Sequence, residues 1–490
     1  YTVWKWTGSP VSATSKLTFA ANRSAVARRI AYWDRKSGSY GNYTLSTPAG
    51  WAEVLYRNST YNYGFASFGS DVYLRMPGNL NPNYYYLWLS GSSTGRFEFD
   101  GPNIRLSGFE VRMVGTNFSA NAGFGVVDHN MISNAGLSYR GEQGAPSAYP
   151  SDHTVQYNLL RDIGTWSTDP SYRAIPWNFI KGNMKIGEQT TGWNRVGAHA
   201  ETFAIFGRGG ARRMVVRRNT IEGYFNGLGG YNEGYDRYSQ QDTDVHGNVI
   251  RKIADDAFEP EQQAINWRIW GNRIERASVA VSTGPVRYGP IYFFRNEAWK
   301  LGREGVGADN SGSKGVGVVG FKYSGSSSVT PRIYVIHNTF WTNASEAGGG
   351  AQWAGGGSSP DRFWLRNNIF RMTRYAFEAP SNGSANHWNE NYNHFATTDT
   401  ERGISYAGTR YTTNVSAYRS SSGQGSRTNI RGSFISPGVV DTALAAPLTG
   451  SLGLKDGAVF VNSGTPVANI SDQASQYAGI APDLGARESR

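Results

Sequence analysis

Hydrophobic positions recur along this chain in a fixed relation to asparagine. An apolar residue stands three places before an Asn and another two places after it. The pattern reads VVDHNMI at 126–132, TVQYNLL at 154–160, VVRRNTI at 215–221 and DVHGNVI at 244–250. It continues as RIWGNRI at 268–274, YFFRNEA at 292–298, YVIHNTF at 334–340 and WLRNNIF at 364–370, with a degraded copy around Asn391. The repeated residues are Asn130, Asn158, Asn219, Asn248, Asn272, Asn296, Asn338 and Asn368, and most neighbours lie 24 to 30 residues apart. The gaps of 61 and 42 residues correspond to two coils, or to one coil plus a loop.

The register assigns the core. Val127, Val155, Val216, Val245, Ile269, Phe293, Val335 and Leu365 form one inward column, and Ile132, Leu160, Ile221, Ile250, Ile274, Ala298, Phe340 and Phe370 form another. A short repeat that cannot bury its apolar face alone buries it by stacking, so the pattern predicts a solenoid of β-coils. Asparagines stacked at a bend then hydrogen-bond from coil to coil at the strand spacing of about 4.8 Å. Residues 1–98 differ in texture, rich in Tyr and Trp with alternating apolar residues, and read as an N-terminal β cap; residues 99–490 read as the solenoid with its C-terminal coils and cap. The Gly/Ser-rich stretches 304–330 and 346–360 read as long loops, and no flexible linker divides the chain. One elongated domain is expected.

Composition agrees and excludes alternatives. Charged residues make up 17% of the 490 residues, aromatics 14%, and there are 61 glycines, a balance foreign to disordered chains and to long-helix proteins. No apolar run is long enough to span a bilayer, so membrane insertion is not expected. There is no cysteine, which removes disulfides, thiolate chemistry and Cys-ligated metals. The chain opens at Tyr1 without Met or an apolar leader, and a secreted, extracellular chain whose signal peptide has been removed is expected. The net charge of +11 rests on Arg: ten of the 48 basic residues are Lys, leaving 38 Arg. Arg binds carboxylate and sulfate in bidentate fashion, so an acidic polysaccharide is the expected partner. The basic residues are dispersed rather than in runs, which argues against nucleic acid.

The Asn-bend repeats, DVYLRMPGNLNPN at 71–83, GPIYFFRN at 289–296 followed by FKYS and HNTF, and APDLGARE at 481–488 carry a family likeness. Over about residues 75 to 490 the chain resembles the right-handed parallel β-helix proteins of the pectate-lyase-like superfamily, mostly secreted carbohydrate-active enzymes. The resemblance implies an all-β, right-handed parallel β-helix. It does not choose a reaction, because this fold hosts lyases, inverting hydrolases, epimerases, esterases and non-catalytic surface proteins.

The densest chemistry lies in Ala254-Asp255-Asp256-Ala257-Phe258-Glu259-Pro260-Glu261, just after the Asn248 bend. In an extended strand the period of two puts Asp255, Ala257, Glu259 and Glu261 on one face, with Phe258 and Pro260 toward the core. The equivalent positions one coil away, Asn226-Gly227 and Val279-Ala280, offer no cation, so the acids repel one another unless a ligand, metal or proton intervenes. Asp255, Asp256, Glu259 and Glu261 are therefore the candidate catalytic residues. In an inverting glycosidase one carboxyl is the general acid and another activates water, about 6.5–9.5 Å away. In a lyase acting on uronic acids the carboxylates, Glu259 and Glu261 foremost, instead hold Ca²⁺ while Arg or Lys removes the C5 proton. A purely structural Ca²⁺ site is the third use. Polygalacturonase-like relatives carry an Asp-Asp pair plus an Asp one coil away; Asp255-Asp256 with Asp242 or Asp244 resembles this, but 11 to 13 residues is less than a coil and the accompanying Gly-His-Gly and Arg-Ile-Lys motifs are absent.

Supporting candidates are His199 with Glu201 as an oriented acid/base pair, Asp242, and Lys322 as a lyase base. Trp193, Tyr235, Arg237, Tyr238, Arg287 and Tyr288 mix aromatics with Arg, suited to stacking on sugar rings and clamping acidic groups. Asp244 and His246 point outward, and Asp244 is expected to pair with Arg268. The expected function is degradation of a polysaccharide bound along the β-helix, by hydrolysis with no required cofactor, or as the alternative by Ca²⁺-assisted elimination. A non-catalytic glycan-binding adhesin is the reading from another class. A monomer is expected.

Overall fold

The computed structural model describes residues 96–487, apart from 141–150, 162–202, 230–239, 302–318, 325–331, 343–348, 355–362 and 380–387 and gaps of one to four residues. Before residue 96 it describes short stretches between 4 and 91.

The chain winds into a right-handed parallel β-helix. Among the described residues, one flank is a parallel sheet of ten strands running from Arg105–Ser107 to Trp388–Asn391. The other two flanks form one sheet, of 20 strands among the described residues, joined because Val249–Glu259 and Arg273–Ser282 run unbroken through the corner between them. The start of Val249–Glu259 pairs with Thr220–Glu222 and its end with Asn226–Gly229. Parallel crossover connections take the right-handed sense almost without exception.

The register is the one the repeat demands. In the ten-stranded sheet Val127, Val155, Val216, Val245, Ile269, Phe293, Val335 and Leu365 are successive partners. On the next flank Ile132, Leu160, Ile221, Ile250, Ile274, Ala298, Phe340 and Phe370 are in register, and the column extends to Phe395. Both columns are buried in a continuous core. Phe340, Phe370 and Phe395 stack at 4.6 and 5.2 Å, an offset geometry that adds to area burial. The 61- and 42-residue gaps are each one coil plus a loop, since Thr154–Gln156 pairs directly with Val215–Arg217 and Ile291–Phe294 with Ile333–Ile336.

At every bend the Asn side chain bridges coils. In Asn248, Nδ2 donates to Asn272 Oδ1 at 2.9 Å and to the Val216 carbonyl at 3.0 Å, while Oδ1 accepts from the Asn219 backbone N–H at 2.9 Å. The residue before each Asn takes a left-handed conformation; at Gly247 and Gly271 this costs little, whereas His129, Tyr157, Arg218, Arg295 and His337 adopt it as non-glycines. That conformation costs an L-residue about 1 kcal/mol, and the bonds of the Asn offset it. The ladder ends at Asn393, whose Oδ1 accepts from the Asn368 N–H at 3.0 Å. The degraded copy around Asn391 is thus corrected by two residues. Its template is broken because a glutamate, Glu390, is the partner of Leu365 in the inward column. This buried carboxylate accepts from Tyr418 Oη and Thr428 Oγ1, both at 2.6 Å, beneath the helix Val415–Ser422 that closes this end.

Beyond residue 433 the chain does more than cap. The helix Pro437–Ala443 and the segment to 487 fold back over the outside of the solenoid, where Val440, Leu444, Leu452, Phe460 and Leu484 pack on Trp341, Ile369 and Ala396. Arg371 ties this strap down by donating to both carboxylate oxygens of Asp441. Near its end Arg487 donates to Glu297 at 2.8 Å.

Candidate functional site

The acidic run occupies the corner where Val249–Glu259 passes from one flank to the next. Against Arg273–Ser282 its register shifts between Ile253 and Asp256: two residues of this strand, 254 and 255, oppose the single residue 278 between Ala277 and Val279. Such a bulge inserts one residue and re-aims the side chains after it. The expected alternation therefore fails. Ala257 and Phe258 are both buried in the core, and the residues that come together are Asp256, Glu259 and Glu261. One carboxylate oxygen from each lies within 4.8 Å of the others. Asp256 and Glu261 are 2% and 7% exposed, and Glu259 is half-buried. The side chain of Asp255 lies outside the described residues.

The two neighbouring coils hold this group. From the preceding coil Asn226 accepts the Asp256 backbone N–H at Oδ1 (3.1 Å) and donates from Nδ2 to Glu259 Oε2 (2.9 Å), so one amide fixes both the corner and a carboxylate. From the following coil Ser282 Oγ donates to Glu261 Oε1 at 2.6 Å. A tight turn, Glu261 N–H to Glu259 carbonyl at 2.9 Å, brings the two glutamates to the same side. Gly227 is required beside Asn226, because a Cβ there would stand 2.3 Å from the Ala257 carbonyl oxygen. Asn226 and Ser282 orient the carboxylates without neutralising them.

Several other carboxylates of the solenoid form ion pairs. Arg105 donates to Asp128 at 2.7 Å and, with its hydrogen bonds leading, holds that carboxyl down to about 2. Arg213 does the same for Asp152, lowering it, and Arg268 forks onto Asp244 at 2.6 and 2.8 Å, the ion pair expected from the sequence. His246 stacks on Trp270 at 4.3 Å, a surface ladder. Asp242 accepts from Asn266 Nδ2 at 2.6 Å and stands outside the acidic group. Tyr288 is exposed on the turn after Ser282. Lys322 lies on Val319–Ser324 in register with Ser282, which brings it to the same flank as the acids. His199, Glu201, Trp193, Tyr235, Arg237, Tyr238 and Arg287 lie outside the described residues.

Asn226 and Ser282 were not singled out from the sequence as site residues. The signal was present in part, since Asn226-Gly227 occupies the position one coil before the acids, but only its lack of charge was read from it.

No family model and no curated protein matches the chain. Among solved structures, that of XylC in complex with xylose matches over 76% of this chain at 13% sequence identity and a TM-score of 0.35. The match covers 55% of XylC, so this chain spans about half the length of that protein.

Proposed function

We propose that this chain is a polysaccharide-cleaving enzyme in which Asp256, Glu259 and Glu261 hold a divalent cation, with elimination across a uronic acid as the reaction. The observation that carries this reading is the 4.8 Å limit on the distances among the three carboxylate oxygens. Calcium binds oxygen at about 2.3–2.6 Å, so oxygens on opposite sides of one ion stand roughly 4.6–5.2 Å apart. An inverting pair keeps its carboxyls about 6.5–9.5 Å apart to seat a water between them, whereas here one oxygen from each of three carboxylates gathers within 4.8 Å, the span of a single ion's shell. The donor set is also right for calcium, being hard oxygen throughout, with Asn226 and Ser282 fixing the orientation of Glu259 and Glu261.

A bound cation would neutralise the substrate carboxylate and so make the neighbouring C5 proton easier to remove. The chain's own groups do the rest. A base takes the C5 proton, the electron pair forms the C4–C5 double bond, and the C4–oxygen bond breaks, the departing sugar oxygen taking up a proton. Lys322, two strands from Glu259 on the same flank, is our candidate base, with Arg287 as the other. A polymeric substrate of this kind lies outside cells, and we assign the enzyme there.

The second reading is hydrolysis by general acid and base, favoured by the burial of Asp256 and Glu261, which shields two adjacent carboxyls from bulk water. The experiment follows reducing ends and ultraviolet absorbance together on acidic and neutral polysaccharides, with and without chelator. Chelator-sensitive absorbance from an unsaturated product supports elimination. Reducing ends without that absorbance, unaffected by chelator and abolished by Asp256→Asn, support hydrolysis. Neither signal on any polymer refutes both.

A further inference from the structure

Beyond the flank that follows the asparagine bend, the next bend carries a cation on three successive coils. Arg161, Glu222, Arg251, Glu275 and Trp299 are strand partners in that order, and the residues after the last three are Lys252, Arg276 and Lys300. All three take the left-handed conformation, with φ of 56°, 56° and 49°. Gly223 holds the equivalent place one coil earlier in the same conformation, and buried Thr342 holds it one coil later. Glycine and asparagine adopt this conformation at least cost, so three coils accept strain to place a Lys or Arg there. The cations repeat at the strand spacing of about 4.8 Å and form a rail about 10 Å long.

The carboxylates beside the rail are already shared. Glu222 receives Lys252 at 2.5 Å, Arg251 at 3.1 Å and Arg161 at 3.7 Å, and Glu275 receives Arg273 at 2.7 Å. Glu297, the partner of Arg273 on the next strand, is matched by Arg487 at 2.8 Å. Lys300 stands over the Trp299 ring at 4.8 Å. With the Glu297–Arg487 pair set aside, the described residues named on this surface are six cations against two carboxylates, an excess of four. Counting Asp255, whose side chain lies outside the described residues, as a third carboxylate leaves an excess of three. All six cations are partly exposed.

Such an excess attracts a polyanion, and a polyanion with one charge per repeat suits a rail with one cation per coil. We propose that Lys252, Arg276 and Lys300 form a tethering site for a uronic-acid polysaccharide, whose chain runs along the solenoid axis and offers carboxylates to successive coils. A glycan of this class carries a carboxylate on each uronic acid. The choice of this polymer among polyanions rests on the reading of the chain as an enzyme of uronic-acid polysaccharides, whereas the excess of cations stands without it. Lys252 precedes Asp256 by four residues of one strand, a span of at most about 13 Å, so a tethered chain is held close to the acids.

The test compares two double variants of equal net charge, both carrying Glu259→Gln to prevent turnover. One is Arg276→Asn with Lys300→Asn, since Asn tolerates the left-handed bend. The other is Arg332→Asn with Arg410→Asn, at exposed positions on other parts of the solenoid. Thermal melting checks that each is folded, and Lys300→Asn alone replaces the rail double variant if that one is not. Calorimetry measures binding of polymeric polygalacturonate and alginate at low and physiological salt, with neutral xylan and single-stranded DNA as comparisons. The tether predicts that the rail double variant binds a uronic-acid polymer about tenfold more weakly and with a flatter salt dependence, and Lys300→Asn alone about threefold more weakly. The second double variant should stay within about twofold of the Glu259→Gln protein. Equal affinity in the two double variants overturns the tether and leaves the cleavage reading, which product formation tests, intact. Binding of xylan or DNA as tight as that of both uronic-acid polymers, or no binding of either uronic-acid polymer, overturns the assignment to an acidic glycan.

Discussion

Replacing Asn248 by Ala removes the centre of the asparagine ladder, and the structure sets the size of the loss. The side chain is 1% exposed. It donates to Asn272 Oδ1 at 2.9 Å, to the Val216 carbonyl at 3.0 Å and to the His246 carbonyl at 3.2 Å. It accepts from the Asn219 backbone N–H at 2.9 Å and from Asn219 Nδ2 at 3.0 Å. After truncation the Asn219 N–H and the Val216 carbonyl are buried without these partners. Each orphaned group costs about 1–3 kcal/mol, so the expected loss is about 4 kcal/mol. Asn391 is the matched control: it bonds to Ser426 Oγ at 3.2 Å and to the exposed Arg427 N–H at 2.8 Å, outside the ladder, and Asn391→Ala should cost under about 1 kcal/mol. Equilibrium unfolding in guanidinium chloride, followed by tryptophan fluorescence, measures both. If Asn248→Ala loses no more than Asn391→Ala, the ladder is not what holds the bends and the reasoning fails.

Three further outcomes follow from the same structure. Gly227→Ala must displace the Ala257 carbonyl, at a cost of about 2 kcal/mol, and should loosen the acidic corner enough to weaken cation binding and cleavage together, read by calorimetry and by product formation. Burial, foremost, holds His337 and His394 neutral by pushing both down from 6.5 to about 3; Arg295 adds to this at His337, which meets Ser471 and the Asp483 carbonyl, while the Phe460 ring packs on His394. Because the unfolded chain takes up these protons below about 6.5 and the folded one does not, their stability is complete above that pH and falls as the pH drops toward 3. Melting at pH 7 and pH 5 should differ by about 2 kcal/mol per histidine, and His394→Leu should remove one share. Arg371→Met breaks the fork to Asp441 and the contact over the Trp341 ring, so limited proteolysis should cut within residues 433–487 while the coils stay intact; unchanged resistance would show that apolar packing alone holds the strap.

The coils were legible because two constraints fall on the same short stretch. An Asn at the bend supplies two donor hydrogens and an acceptor oxygen at once, which neither Asp nor Ser can, and the flanking apolar residues must repeat in the same register. Where one constraint lapsed, so did the reading: Glu390 in the inward column disguised the last coil and shifted attention from Asn393 to Asn391. The acidic site was legible in composition and not in geometry. A period of two holds only along an uninterrupted strand, and after the bulge between Ile253 and Asp256 it is Asp256 that meets Glu259 and Glu261 among the described residues. No local residue type announces that bulge, since it arises from matching this strand to its neighbours. The role of Asn226 is a long-range effect of the same kind, visible once the coils are stacked and Asn226 meets both Asp256 and Glu259.

The most direct measurement is a calcium titration by calorimetry on the protein and on Asp256→Asn, Glu259→Gln and Glu261→Gln, with thermal melting to confirm that each variant is folded. A cation shared by the three carboxylates predicts one calcium site in the unsubstituted protein and a loss of affinity of at least about tenfold in every variant. Absence of calcium binding, or binding that all three variants retain, would contradict it.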